Sequence, residues 1–182
     1  AALVEVLERS PDEQEPPCPH AGRCGGCSWQ SLAYGRQLAW KERIVHDALE
    51  RVGKVACPPM LPILPSPSEW GYRNKMEFAF GVSGDGGKAL GLRERGSRNI
   101  VEVTGCLLQT PLTMRVLEAV RMLSNGAFHD LDGRFLVVRE PNAGGCFVEL
   151  IVGAGGILEA GERFAEALRA ETPEVTGFAL SE

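Results

Sequence analysis

The chain has 182 residues, 44% hydrophobic and 24% charged, with 22 glycines and 12 prolines. That is a soluble, globular composition, long enough for one ordinary domain and without an apolar run near the ~20 residues a membrane helix needs. A formal net charge of −5 excludes a chain that coats nucleic acid indiscriminately, though not a local basic face.

The many glycines and prolines predict turns and loops rather than a helical bundle. Ala1–Glu8 has neither a basic start nor a long apolar core, so no signal peptide is expected and a cytoplasmic location is. The chain does not begin with Met, and it opens and closes in strand-like text (Leu3–Leu7 and Phe178–Leu180), as expected of a piece of a longer protein. Six cysteines without a secretory signal read as metal ligands and buried thiols rather than disulfides.

In chain order, residues 1–9 read as the last strand of an upstream unit, and 10–17 as a charged linker punctuated by proline. Gln30–Val52 carries Leu32, Leu38, Trp40, Ile44, Val45, Ala48, Leu49 and Val52 at three- and four-residue steps, which predicts a long amphipathic helix stopped by Gly53. Cys57–Pro67 is a proline-rich extended linker. Tyr72–Gly81 and Ala89–Glu94 form a predicted hairpin around Gly84-Asp85-Gly86-Gly87, and Ile100–Val103 a short third strand. Pro111–Ser124 is a helix with Leu112, Val116, Leu117, Val120 and Leu123 on one face. Arg134–Glu140 and Cys146–Val152 are strands around the turn 141–145, Leu158–Ala170 is a helix, and Val175–Leu180 a final strand. The fold class is therefore α+β: a mostly antiparallel sheet with two packed helices, preceded by a cysteine loop and a long helix.

That loop, Cys18-Pro-His-Ala-Gly-Arg-Cys24-Gly-Gly-Cys27, has almost nothing apolar to bury, so a metal centre is the obvious reason for it to be ordered. Three thiolates leave a site open. Cys106, at the end of the third strand in a Gly-Cys-Leu-Leu context, is the choice for the fourth ligand. Cys57 is hemmed in by two prolines, and Cys146 opens an apolar strand where a cysteine acts as a small hydrophobe. Zinc and a 4Fe–4S cluster both accept four thiolates. Three clustered cysteines plus a remote one favour the cluster over zinc, which prefers paired C-x2-C knuckles.

Cys18–Gln30, the long helix, Tyr72-Arg73-Asn74-Lys75, Gly91-Leu92-Arg93 and the strand leading to Cys106 together resemble the RNA (uracil-5-)-methyltransferases, and within them the iron–sulfur members that modify ribosomal RNA. The match runs in order over roughly residues 1–110. The resemblance implies that Cys18, Cys24, Cys27 and Cys106 hold a 4Fe–4S cluster. It also implies that residues 1–10 end an OB-like RNA-binding barrel, 11–29 form the cluster loop, 30–69 the long helix and linker, and 70–182 the central α+β domain. An S-adenosylmethionine-binding domain, with the cysteine nucleophile and the carboxylate of catalysis, would lie outside this chain. No catalytic residue is then expected here, and the fragment alone should not turn over.

Arg73, Lys75, Arg93, Arg95 and Arg98 crowd two neighbouring predicted strands and their loop, a positive edge suited to a phosphate backbone, against the plainer reading of a solvated sheet face. Trp29 and Trp70 could stack on unpaired bases, although single aromatics more often serve packing. With Tyr72 from the Tyr-Arg-Asn-Lys motif, the expected RNA-contacting set is Trp29, Tyr72, Arg73, Lys75, Arg93, Arg95 and Arg98. Phe147–Gly156 followed by a helix resembles the start of a nucleotide site, but Leu158 stands where a third glycine belongs, so a plain β–α turn is preferred. His20, His46 and His129 are scattered and pair with no nucleophile.

The expected partner is RNA, ribosomal by the resemblance, with no membrane and no obligate protein partner. The competing readings are a non-enzymatic zinc module that binds RNA and, more weakly, a ferredoxin-like electron carrier.

Overall fold

The computed structural model describes residues 5–153 and 158–182, for 158–160 the backbone alone. Contacts divide the chain into two compact units, residues 1–21 with 27–69 and residues 22–26 with 70–182.

The first unit is built on α1 (Tyr34–Asp47), which continues as a π-helical turn, Ala48–Val52. The helix begins four residues later than its apolar spacing predicts. The side-chain amide of Gln37 donates to the carbonyls of Trp29 (3.1 Å) and Leu32 (2.8 Å), while Leu32 N–H closes a turn on Trp29 O at 3.0 Å. Those groups are thereby committed to a turn that ends at the extended residue Ala33. At the other end Gly53 is right-handed (φ −74°), and the left-handed position falls on Lys54 (φ 51°). Glycine is needed at 53 for space, since a Cβ there would stand 2.9 Å from Leu49 O.

The linker after the helix is extended but anchored to it. Ile63 N–H donates to Glu42 (2.6 Å) and Ser66 N–H to the Tyr34 hydroxyl (2.7 Å). Arg36 pairs with Asp12 at 2.6 Å, and Gln14 N–H donates to Ser31 O, so the segment before the cysteine loop is tied to the segment after it. Of the strand expected over Leu3–Leu7, Leu3 and Val4 lie outside the described residues, and Glu5–Leu7 form no strand.

The second unit is a six-stranded sheet in the order β3-β2-β1-β4-β5-β6, made of β1 (Lys75–Val82), β2 (Lys88–Arg93), β3 (Ile100–Val101), β4 (Gly133–Arg139), β5 (Cys146–Val152) and β6 (Val175–Ser181). All neighbours are antiparallel except β5 and β6, which run parallel with α3 (Leu158–Glu171) between them in sequence. This is the α+β architecture expected from the sequence. α2 (Pro111–Asn125) starts as a helix should: the Thr110 hydroxyl accepts from Thr113 N–H at 3.2 Å, Pro111 follows, and Glu140 binds both threonine hydroxyls.

Alternation along the strands decides the two faces of the sheet. Met76, Phe78, Leu90, Leu136, Val148 and Leu150 turn to one side and bury against Val116, Leu117 and Val120 of α2 and Phe164 and Leu168 of α3. Phe164 packs edge-on to Phe128 at 4.9 Å and against Phe178 at 5.9 Å. The other side holds a small cluster, Ala79, Ala89 and Ile100 with Phe135 against them, and the buried Val137. Along the rest of that side stand Lys75, Glu77, Arg93, Arg139 and Phe147, all exposed.

Candidate cluster loop and nucleic-acid face

The six cysteines are thiols. Cys146 is fully buried in the core, where burial first, and the nearby Glu140 and Glu174 carboxylates second, push its pKa up to about 11. It is a small hydrophobe with no nucleophilic character at neutral pH. Cys18, Cys24, Cys27, Cys57 and Cys106 are half-buried.

The local fold says why two of these sulfurs sit where they do. Cys24 makes an antiparallel bridge with Glu94, flanked by Gly25 N–H to Arg93 O and Arg95 N–H to Arg23 O, both 2.9 Å. Residues 22–26 are thus held along the end of β2 as a short extra strand. Gly25 allows that approach, because a Cβ would stand 3.0 Å from Arg93 O. Cys106 follows β3 in a turn closed by Gln109 N–H to Cys106 O at 3.0 Å. Cys24 and Cys106 pack against the same hydrophobic core. Cys18 and Cys27 belong to the first unit, where Cys18 O accepts from Ala21 N–H at 3.0 Å.

Among the described residues no group of three or more His, Cys, Asp and Glu side chains is gathered as a metal site. The donor set itself suits an iron–sulfur cluster. All four candidates are thiols, and Gly26 N–H donates to Cys24 Sγ at 3.4 Å, the kind of hydrogen bond that supports a thiolate ligand.

The basic residues are placed less regularly than expected. β1 begins at Lys75, so Tyr72 and Arg73 are not in the strand. They lie in a segment that runs beside the residues after Cys106, with Gly71 N–H to Leu107 O at 2.8 Å and Arg73 N–H to Leu108 O at 3.0 Å. Lys75 opens β1, Arg93 closes β2, and Arg95 and Arg98 lie in the loop before β3. That loop is built on Glu94, whose carboxylate accepts from Ser97 Oγ (2.9 Å), Asn99 Nδ2 (3.1 Å) and Arg23 Nε (3.4 Å). Those hydrogen bonds, from Ser97 first and then Asn99 and Arg23, hold its pKa below the ordinary 4.5.

Trp29 is half-buried in the first unit and lines an apolar groove with Leu32, Trp40 and Ile44, while Trp70 and Tyr72 are exposed. The strand–glycine–helix stretch is a β5–α3 connection. Gly153 is buried, and residues 154–157, including Gly156, lie outside the described residues. Sequence reasoning passed over Glu77, Phe135 and Arg139, which share the helix-free face of the sheet with Lys75 and Arg93. The signal was present, since all three stand at alternate positions to buried strand residues.

No protein-family model matches the chain. It is 47% identical over 187 residues to an uncharacterized RNA methyltransferase of Nitratidesulfovibrio vulgaris, an alignment that takes in 97% of this chain and 40% of that protein. It is 51% identical over 94 residues to another from Caldanaerobacter subterraneus subsp. tengcongensis (52% of this chain, 21% of that protein). A third, from Gloeobacter violaceus, is 38% identical over 121 residues (66% and 26%). The chain therefore spans less than half the length of these curated relatives. Their names support an RNA methyltransferase family for it.

Proposed function

We propose that the chain is the cluster-bearing, RNA-contacting part of an S-adenosylmethionine-dependent RNA uracil-5 methyltransferase that forms 5-methyluridine in ribosomal RNA. The observation that carries the class is the similarity, across 97% of the chain, to a protein named RNA methyltransferase. The cysteine loop and the Tyr72–Lys75 motif support the narrower type. The S-adenosylmethionine site, the nucleophile and the proton-removing base belong to the part of the longer protein outside this chain, which spans 40% of that relative.

Within this chain, Cys18, Cys24, Cys27 and Cys106 are the proposed ligands of a 4Fe–4S cluster. Bound there, the cluster would be structural: its thiolate ligands would link the Cys18–Cys27 loop to the segment after β3. Backbone bonds hold residues 23–25 beside the basic residues Arg93 and Arg95. These guanidinium groups, with Lys75 and Arg98, neutralise phosphates, and the exposed aromatics Trp70 and Tyr72 offer faces to unpaired bases.

The test is anaerobic purification followed by absorption spectroscopy and metal analysis. Iron and acid-labile sulfide at about four each per chain, with a broad visible band lost in Cys106→Ser, is the expected result. One zinc per chain without colour would replace the cluster by a tetrahedral zinc site. Unchanged metal content in Cys106→Ser would remove Cys106 from the ligand set.

A further inference from the structure

A cleft of about 490 Å³ opens on the helix-free face of the sheet, entirely within the second unit. Its lining includes Ala79 of β1 and Gly91 of β2, directly paired in the ladder, together with Phe135 of β4. Gly91 cannot be enlarged, because a Cβ would stand 2.2 Å from Val101 O. Glu77 and Arg93 stand two residues beyond that pair, and Gly25, Gly26 and Arg95 complete the rim. The volume falls in the range that accepts compact organic ligands.

The chemistry of the lining is selective. Phe135 is half-buried, held against Ala79, Ala89 and Ile100, and offers an aromatic surface on a rigid strand. Arg93 and Arg95 bring positive charge to the rim, and Arg98 stands exposed in the same loop. The loop is preformed, with Glu94 N–H donating to Asn99 O at 2.9 Å and Arg93 Nη1 to Arg98 O at 3.4 Å. Two carboxylates line the cleft, and they differ. That of Glu94 is committed to Ser97, Asn99 and Arg23. That of Glu77 is exposed and has no hydrogen-bond or ion-pair partner among the described residues. In the unit's other large cleft, also about 490 Å³, both carboxylates are paired, Asp132 with Arg134 and Asp130 with His129.

We infer that this cleft takes a single unpaired guanine base of an RNA strand, stacked on Phe135, read by Glu77 and flanked by phosphates on Arg93 and Arg95. The inference rests on the RNA-contacting role proposed above and names the base which that face selects. An ionised carboxylate only accepts hydrogen bonds. Guanine alone offers two adjacent donors on its Watson–Crick edge, N1–H and the N2 amino group, matched to the two carboxylate oxygens. Adenine and cytosine place a ring-nitrogen lone pair beside their amino donor, which repels the carboxylate, and uracil flanks its one N–H with carbonyls. Stacking supplies affinity for any base, the arginines supply salt-dependent affinity for any strand, and Glu77 supplies the choice.

The test is fluorescence anisotropy of the 182-residue chain with labelled single-stranded oligouridylates carrying G, A, C or U at one central position. The expected result is binding about tenfold tighter for the guanine oligomer than for uridine, the discrimination of one good bidentate pair. Glu77→Gln, an exposed position where folding is checked by an unchanged melting temperature, narrows the four affinities to within about twofold. Arg93→Gln weakens all four oligomers alike and flattens the salt dependence. RNA binding without a guanine preference, or a preference that survives Glu77→Gln, overturns the guanine cleft and leaves the RNA-contacting role standing. No binding to any oligomer overturns both.

Discussion

The two units reach order by different means. In the second, the cross-strand ladder and the packing of α2 and α3 take Phe78, Phe164, Leu117, Leu136, Leu150 and Leu168 almost wholly out of water. In the first, α1 has no buried residue at all, and Trp40, Ile44 and Val45 on it are half exposed. What orders the first unit is polar: Arg36 to Asp12, Gln37 to two carbonyls, Glu42 to Ile63 N–H, Tyr34 to Ser66 N–H. Such bonds trade with water and each contributes little net, whereas each large buried side chain contributes more and cooperatively. The segment that carries Cys18 and Cys27 therefore has little of its own to hold it, which is the condition under which thiolate–metal bonds contribute most to folding. Cys24 and Cys106, by contrast, pack against the hydrophobic core of the second unit.

Substitutions and pH test the difference between the two units. The largest effect belongs to the core. Phe164→Ala removes a ring packed between Phe128 and Phe178 and should cost about 3–5 kcal/mol in denaturant unfolding. A loss below about 1 kcal/mol would mean that the second unit is not the cooperative core described here.

A smaller, local effect belongs to the loop of Arg95 and Arg98. Because the folded Glu94 titrates below its ordinary 4.5, its hydrogen bonds stabilise the loop fully above that value and are lost as pH falls through the lower, folded one. The amide chemical shifts of Ser97 and Asn99 should move together in acid, and Glu94→Gln should abolish that movement. Shifts indifferent to pH would remove Glu94 as the loop's organiser.

Smallest of all is Ile44→Ala on α1, expected within about 0.5 kcal/mol of the parent because the side chain is already half exposed. A loss of several times that size would show that the apolar side of α1 is covered in solution.

Element types were read well from local pattern, and their ends poorly. The spacing of Val116, Leu117 and Val120 placed α2 to within a residue, and the alternation of β5 gave Cys146–Val152 as observed. The start of α1 was missed because a side chain one turn ahead, Gln37, claims the carbonyls of Trp29 and Leu32. Arg73 was assigned to a strand edge. Its backbone instead pairs with Leu108, 35 residues away, a contact that no local periodicity encodes. For the candidate site, the cysteine spacing and the basic residues were legible as residues. The uncommitted carboxylate of Glu77 beside the committed one of Glu94 was not, since the two look alike in sequence.

The α+β character, the helices and strands from Lys75 onward and the cysteine loop follow from apolar period and residue chemistry, which are local properties. That β6 runs parallel to β5, that α2 and α3 cover one face of the sheet, and that Ala79, Gly91 and Phe135 meet in a cleft on the other are properties of the folded chain. Those outcomes depend on hydrogen-bond register between segments far apart in the chain. A shift of one residue in that register would exchange the two faces.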